Sequence, residues 1–309
     1  MFGSRSTAAA LASVLIALSV GVATAAAPPG GLLVFASGRS ILVVHPDRSG
    51  LKRVAIGADP SLSFDGRRVA FDRSGSVWSV SAGGGVARRL TTGIGPVWSS
   101  RGQIAFTRGR QIWAIDGLRR RAPRKLSGGV RARFPAWSAD GRRLAFTGGD
   151  GLYVVRADGT RLVHLTTGTD LMPSWSPARA EIAFARANVG EEGIFVATAD
   201  GRSERRVADG GRVFLRPVFA PKAPLIAFEQ DQDIYIVTTD GSDLRRVTNT
   251  NPAVEENVAW APDGALTLAF VRLSNAPVGS LVLSSPLEGS EATIARASGR
   301  VDWRAPAGG

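Results

Sequence analysis

The sequence predicts an all-β protein, a seven-bladed β-propeller of four-stranded antiparallel blades arranged in a closed ring. Three observations predict it. A short motif recurs seven times at nearly even spacing, each repeat is a series of strand-like runs between turn residues, and the two chain ends carry complementary halves of one repeat. A small sheet buries its faces only against neighbouring sheets, so strand-rich repeats of about 40 residues are typical of propellers.

The first marker is a triplet of an apolar residue, Ala and Phe, as in Ile104-Ala105-Phe106. Alternate residues of a strand face opposite sides of the sheet. The apolar residue and Phe therefore share one face, and the Ala on the other face lets a neighbouring sheet approach closely. The Phe residues of the seven copies, the first of them degenerate, are Phe35, Phe71, Phe106, Phe146, Phe184, Phe228 and Phe270.

The second marker reads Pro-x-Trp-Ser in its best copies, as in Pro135-Ala136-Trp137-Ser138, and it precedes each Phe strand. An alternating apolar run and a run of basic residues follow the Phe strand. Asp-Gly pairs such as Asp140-Gly141 and Asp200-Gly201 separate the runs, and Asp-Gly adopts the positive φ angles of tight hairpin turns. Each repeat is therefore predicted to be a four-stranded antiparallel meander.

The chain begins with a Phe strand, Leu33 to Phe35, and ends with a Trp strand, Val301 to Trp303. These strands are hairpin partners in every internal junction, so the N- and C-terminal strands should share one blade and close the ring. Six blades with a stray terminal unit is the alternative. It is kept open because the first unit has Leu62 and Phe64 where others have Trp and Pro, and because Ser274 to Gly279 is irregular.

The combined repeat, P-x-W-S-P-D-G…I-A-F…I-Y-V…D-G…R-R-L-T, resembles the TolB-type propeller repeat, a relative of the WD repeat. The best copies are Phe134 to Thr166, Pro173 to Arg206 and Leu225 to Thr248, and the resemblance covers about residues 31–306. It implies the propeller fold. A fold alone does not define a function.

The N-terminus has the three-part pattern of a secretory signal peptide, with Arg5, an apolar run from Ala8 to Val22, and Ala-x-Ala before Pro28. We therefore expect a signal peptide over residues 1–27 and a propeller domain over 28–309, in a secreted or periplasmic protein that does not span the membrane after cleavage. An uncleaved membrane anchor is the alternative. The absence of cysteine excludes disulfides and thiolate sites.

The formal net charge is +12, and much of it lies in the basic run of each repeat. Charged outer strands oppose edge-to-edge association, which accounts for most of this charge. One segment carries more positive charge than the basic run of its repeat accounts for. We predict an anion-binding patch there, with solvated surface as the alternative. The patch consists of Arg119, Arg120, Arg121, Arg124, Lys125, Arg131 and Arg133. Aromatic interleaving is lacking, so no nucleic acid is expected.

We predict no catalytic residues, no cofactor and no metal site. No Gly-x-Ser-x-Gly elbow occurs, and His45 and His164 stand alone. Acidic clusters such as Glu255-Glu256 and Asp231-Gln232-Asp233 are interpreted as solvated loops. The sequence therefore favours a monomeric binding or scaffold module for a protein or an anionic cell-envelope component. A lyase or hydrolase with its site at the central channel mouth, and a purely structural surface protein, are the alternatives.

Overall fold

Seven four-stranded antiparallel sheets make up the protein in the computed structural model, which describes residues 29–119, 121–209, 214–274 and 278–305. At residues 214 and 215 it describes the backbone only. The described residues form strands, turns and bends but no helix, so the all-β prediction is confirmed. Seven blades are confirmed as well, and the six-blade alternative is wrong. The signal peptide predicted over residues 1–27 lies outside the described residues.

Each blade is a meander whose strands we number in chain order. Blade 1 contains β1 (Leu32–Ser37), β2 (Ser40–Val44), β3 (Lys52–Ile56) and the last strand, β28 (Val301–Arg304). Blades 2 to 4 contain β4 (Ala58–Leu62), β5 (Arg68–Arg73), β6 (Ser76–Ser81), β7 (Arg88–Thr92); β8 (Ile94–Trp98), β9 (Gln103–Arg108), β10 (Gln111–Asp116), β11 (Arg124–Lys125); and β12 (Arg133–Trp137), β13 (Arg143–Thr147), β14 (Leu152–Arg156), β15 (Val163–His164). Blades 5 to 7 contain β16 (Asp170–Trp175), β17 (Glu181–Arg186), β18 (Gly193–Thr198), β19 (Glu204–Asp209); β20 (Phe214–Phe219), β21 (Leu225–Gln230), β22 (Asp233–Thr238), β23 (Leu244–Arg246); and β24 (Val254–Trp260), β25 (Leu268–Leu273), β26 (Gly279–Ser285), β27 (Ser290–Ala297).

The two chain ends meet in blade 1, as the sequence predicted. Strand β28 pairs with β1 in the order β28-β1-β2-β3, with Leu33 opposite Trp303 and Phe35 opposite Val301. The Asp302 carboxylate then reaches blade 2, where it accepts the backbone N–H of Leu62 at 2.9 Å. Ring closure thus joins strands that are more than 200 residues apart in sequence. Each sheet then packs against a neighbouring sheet on both of its faces.

The strand that contains the second marker is the innermost strand of its blade. Strands β4, β8, β12, β16, β20, β24 and β28 contact one another in succession around the ring and enclose a central channel. One end of the ring, which we call the turn end, carries the turns between first and second and between third and fourth strands. The other, the linker end, carries the turns between second and third strands and the links from blade to blade.

The core consists of seven apolar clusters, each between two neighbouring blades. All seven Phe side chains of the first marker are completely buried. Ala105 of blade 3 lies in one cluster with Trp137 and Phe146 of blade 4, and Ala145 repeats the arrangement with blade 5. The small Ala side chain therefore receives the aromatic residues of the next blade, as predicted, and interior packing is close along the whole ring.

The Trp of the second marker also makes a directional contact. In three of the five marker Trp residues the indole N–H donates to a main-chain carbonyl of the preceding blade's innermost strand, at 3.1 Å from Trp137 to Val97, 3.0 Å from Trp175 to Ala136 and 3.0 Å from Trp260 to Val218. Among the described residues, the indole N–H of Trp98 has no such partner. A buried indole N–H usually needs such a partner. The Trp residues thus hold successive blades in register as well as filling the space between them.

Candidate functional site

A ring of bulges lies near the linker end of the central channel. The innermost strand of each of blades 2 to 7 shifts register against its neighbour, and the residue at that point has a positive φ angle in every case. In five of them proline follows, which cannot donate to the ladder and is typical of bulges. The six residues are Asp59, Gly95, Phe134, Met172, Arg216 and Asn257. In blade 1 the corresponding residue is Arg300, just before β28.

Five of these seven positions carry side chains that solvent reaches. Solvent can reach an innermost strand only through the channel and its mouths, so these side chains form the rim of the linker-end mouth. Asp59 and Phe134 are exposed, and Met172, Arg216 and Arg300 are half-buried. We call these five residues the channel rim.

The two arginines of the channel rim are not neutralised by ion pairs. Among the residues described, neither Arg216 nor Arg300 has a carboxylate within 4.0 Å. Arg300 reaches only the Pro96 carbonyl, at 3.5 Å. Burial lowers the pKa of the Arg300 guanidinium, and the positive charge of Arg216 lowers it further, while Asp302 and Asp59 oppose the shift. The rim therefore has unused hydrogen-bond donors and positive charge, and it also carries an aromatic and a thioether side chain.

Glu229 supports the rim from the second strand of blade 6. Its side chain is buried and accepts the backbone N–H of Asn257 at 2.6 Å. Burial raises the pKa of Glu229 to about 7, against the attraction of Arg216 and the two backbone N–H groups of Asn257 and Val258, while Glu256 adds to the rise. Glu229 thus changes charge close to neutral pH.

The raised pKa of Glu229 makes stability depend on pH. The folded chain holds a proton on Glu229 between pH 4.5 and about 7, whereas the unfolded chain has lost it, so stability falls as pH rises through this window. This rise in the pKa of Glu229 corresponds to a loss of about 3 kcal/mol in the free energy of unfolding across the window. We expect Glu229→Gln to remove most of this loss between pH 5 and pH 8, measured by urea unfolding at both pH values. Equal pH dependence in the variant and the natural chain would contradict the assignment.

A second candidate site lies at the turn end, between blades 3 and 4. It is an open groove of about 720 Å³. Its cationic lining consists of Arg101, Arg124, Arg142, Arg143 and Arg156. None of these five arginines has a carboxylate within 4.0 Å in the part of the chain that the structure describes. We call this the arginine groove.

The structure distributes the predicted anion-binding patch over both ends of the ring. Arg119 and Arg121 are exposed in the turn after β10, at the turn end, and Arg124 lines the arginine groove. Lys125 lies over the ring of Trp113, with Nζ 5.6 Å from the ring centroid. Arg131 and Arg133 are at the linker end, beside the turn that contains Arg110, and Arg120 lies outside the described residues. Anion binding by the patch stays a prediction.

Much of the remaining positive charge has a place in the repeat. The basic runs form the outermost strands and are exposed, for example at Arg88 and Arg245. Four other arginines follow a marker Phe by two residues, namely Arg73, Arg108, Arg186 and Arg272. Two of them pack on a Trp of the third strand: the guanidinium carbon lies 3.7 Å from the centroid of Trp78 for Arg73 and 4.9 Å from that of Trp113 for Arg108. These arginines stabilise the blades and are not free for a ligand.

The interpretation of the acidic clusters as solvated loops is wrong for two residues. Glu255 lies in β24 with its side chain fully buried, and Arg272 Nε contacts it at 2.7 Å. Asp233 lies in β22, also buried, 2.5 Å from Arg246. A third buried pair, Asp170 with Arg186, was not foreseen. Buried carboxylates need such partners. For Glu255 and Asp170, the missed signal was an arginine two residues after the marker Phe, Arg272 and Arg186 respectively.

The histidines occupy separate, peripheral positions. His45 Nδ1 lies 3.1 Å from the Gly31 carbonyl, and His164 stacks on Tyr153 with ring centroids 4.4 Å apart. Within the described ranges no three His, Cys, Asp or Glu side chains come together as metal ligands. Nor does the described chain contain a helix long and apolar enough to cross a membrane.

The family description "TolB beta propeller domain" matches residues 96–302, two thirds of the chain. The chain belongs to the TolB β-propeller family. Two curated relatives agree with this family membership. The chain is 30% identical over 167 residues to a TolB homologue of Chlorobium luteolum, and 35% identical over 78 residues to the Tol-Pal system protein TolB of Desulfosudis oleivorans. The matches cover 51% and 24% of this chain, and 34% and 18% of those proteins.

Solved structures show the same fold in more distant proteins. TolB from Acinetobacter baumannii superposes with a TM-score of 0.60 at 14% identity, over 88% of this TolB-type chain and 66% of that one. A puromycin hydrolase superposes with a TM-score of 0.65 at 15% identity, over 88% of this chain and 54% of that one. At these identities the likeness concerns the fold alone, and it includes both an enzyme and a TolB protein.

Proposed function

We propose that this chain is an exported TolB-type propeller that binds a protein partner through the linker-end mouth of its channel. The observation that carries the proposal is the composition of the channel rim. Arginine, aromatic and methionine side chains are the types enriched at protein interfaces, and here Phe134, Met172, Arg216 and Arg300 share one rim.

Rigidity supports this proposal. Four rim residues lie in innermost strands and Arg300 directly precedes one. Each of these strands pairs within its own blade and contacts the innermost strands on either side. A preformed surface loses little conformational entropy when a partner docks. The unpaired guanidinium groups of Arg216 and Arg300 offer donors to acidic or carbonyl groups of that partner.

Export is the second part of the proposal. The N-terminal pattern of Arg5, the apolar run and the Ala-x-Ala sites supports it. Fractionation of cells that produce the full chain tests it. Recovery of the protein outside the cytoplasm, shortened by about the length of residues 1–27, is the expected result.

Site-specific photo-crosslinking tests the binding surface. A photoreactive phenylalanine analogue at position 134 should crosslink to a protein partner in the extracytoplasmic fraction. The same analogue at position 64 is the matched control, because Phe64 is also exposed but lies at the turn end. In the position-134 protein, Arg216→Ala should lower the yield about tenfold. Crosslinks from position 64 alone, or from neither position, would contradict the proposal.

A further inference from the structure

We propose that the arginine groove between blades 3 and 4 is a binding site for a phosphoryl group. It lies at the turn end, opposite the channel rim, and it does not depend on the function proposed above. Three features of the groove support it. Two arginines are cross-strand partners, several guanidinium groups are held by neighbouring groups, and the nearby aspartates hydrogen-bond within their own turns.

The unfavourable arrangement is a pair of like charges directly opposite each other. Arg143 begins β13 and is the cross-strand partner of Arg156, the last residue of β14. Like charges at such positions destabilise a sheet. Elsewhere the equivalent pair contains at most one cation: it is Arg68 with Ser81, Gln103 with Asp116, Glu181 with Thr198, and Leu225 with Thr238. The attraction of Asp140 to Arg143, and of Asp158 to Arg156, offsets part of this repulsion. A bound anion that both arginines contact would offset the rest.

Two further arginines are fixed across the boundary between the blades. Arg101 Nε donates to the Asp140 carbonyl at 2.9 Å, and an Nη of Arg124 donates to the Ala157 carbonyl. Each bond uses one N–H and leaves the other donors of the guanidinium free. Arg143 is itself held over the ring of Trp175, with its guanidinium carbon 4.8 Å from the centroid. Three of the five lining arginines are therefore positioned before any ligand arrives.

Three carboxylates also line the groove, those of Asp116, Asp140 and Asp158, and one oxygen of each is engaged in a local turn. Asp140 Oδ1 accepts from Ser138 Oγ at 2.6 Å and from the backbone N–H of Arg142. Asp158 Oδ1 accepts in the same way from the hydroxyl and the backbone N–H of Thr160. The Ser138 and Thr160 hydrogen bonds lower the pKa of these two aspartates. The aspartates form the hairpin turns and leave the arginines without a direct partner.

A phosphoryl group fits this lining better than a single carboxylate does. Arg143 and Arg156 both line the groove, and a tetrahedral, multiply charged oxyanion can accept hydrogen bonds from more than one guanidinium group at once. The open volume of about 720 Å³ leaves room for whatever carries the phosphate. The phosphate could belong to a soluble ion or to a lipid headgroup, and the binding experiment separates these sources.

Calorimetric titration with inorganic pyrophosphate, and flotation with phosphatidylglycerol vesicles, test the proposal on the full chain. We expect binding of at least one probe, with Arg143→Ala/Arg156→Ala raising Kd about tenfold. The matched control is Arg67→Ala/Arg68→Ala, because the Asp-Gly-Arg-Arg turn recurs there without an arginine on the opposite strand. Its Kd should stay within about twofold of the natural value.

Binding of pyrophosphate supports a soluble phosphate, and binding of vesicles alone supports a lipid headgroup. The proposal is overturned if neither probe binds, if both double variants lose binding equally, or if acetate displaces the bound probe as well as inorganic phosphate does. Crosslinking from position 134 is unaffected by these variants, so this site and the channel rim can fail separately.

Discussion

Removal of residues 301–309 is expected to abolish cooperative folding. The truncation deletes β28, the innermost strand of blade 1, and exposes the edge of β1 to solvent. It also removes the buried Trp303 and the Asp302 carboxylate that binds blade 2. Loss of a buried Trp alone costs about 3–5 kcal/mol, a large fraction of the stability of most domains. Thermal unfolding followed by circular dichroism should show no sharp transition.

The matched control removes residues 305–309 and keeps β28. Ala305 is exposed and follows the last strand, so this shorter deletion should leave the melting temperature within about 2 °C of the natural chain, as surface changes do. A cooperative transition at the natural temperature after the longer deletion would refute ring closure by the terminal strands. Aggregation of the truncated chain agrees with the prediction, because an uncovered β1 edge can pair with other chains.

The substitution Arg186→Met is expected to lower the free energy of unfolding by about 3–5 kcal/mol, the range for breaking one side of a buried ion pair. Arg186 Nε lies 2.7 Å from Asp170 Oδ1, and the Asp170 side chain is completely buried. Its Nη1 also contacts Glu204 Oε1 at 2.6 Å. The hydrogen bond to Asp170 raises the pKa of Arg186 far above its usual value. Without the guanidinium, the Asp170 charge is buried and unpaired.

Two comparisons give this prediction its specificity. Arg202→Met in the same blade removes an exposed arginine that is 3.4 Å from Asp200, and its cost should be below about 0.5 kcal/mol. Adding Asp170→Asn to Arg186→Met should recover part of the loss, because the uncompensated charge disappears with it. Urea unfolding of the four proteins measures all three effects. An Arg186→Met cost no larger than that of Arg202→Met would show that the buried pair is not required.

The ring could be predicted from the sequence because its determinants are local and repeated. The Phe residues mark one strand in each blade. The Phe strand at Leu33 and the Trp strand at Trp303 are the two halves of one repeat, so the sequence alone predicts that they pair and close the ring. The bulges were not foreseen, although the proline after Phe134 or Arg216 is a local signal for them.

The candidate sites were harder to predict because they depend on register and on neighbouring blades. Arg143 and Arg156 become opposite partners only when the hairpin between β13 and β14 has its actual register. Arg101 meets the Asp140 carbonyl only because blades 3 and 4 are adjacent. A run of basic residues such as Arg119 to Lys125 indicates charge along the chain, whereas a binding surface gathers charge from several strands.

Closure of blade 1 by the last strand also sets the order of events during synthesis. A ribosome releases β1 long before β28, so the first sheet to emerge is the last to be completed. The contact between Gly30 and Trp303 spans 273 residues, and bringing such distant segments together has a large entropic cost that only the finished ring offsets. A nascent chain without its final residues therefore remains short of the native ring, however many of its internal blades have already formed.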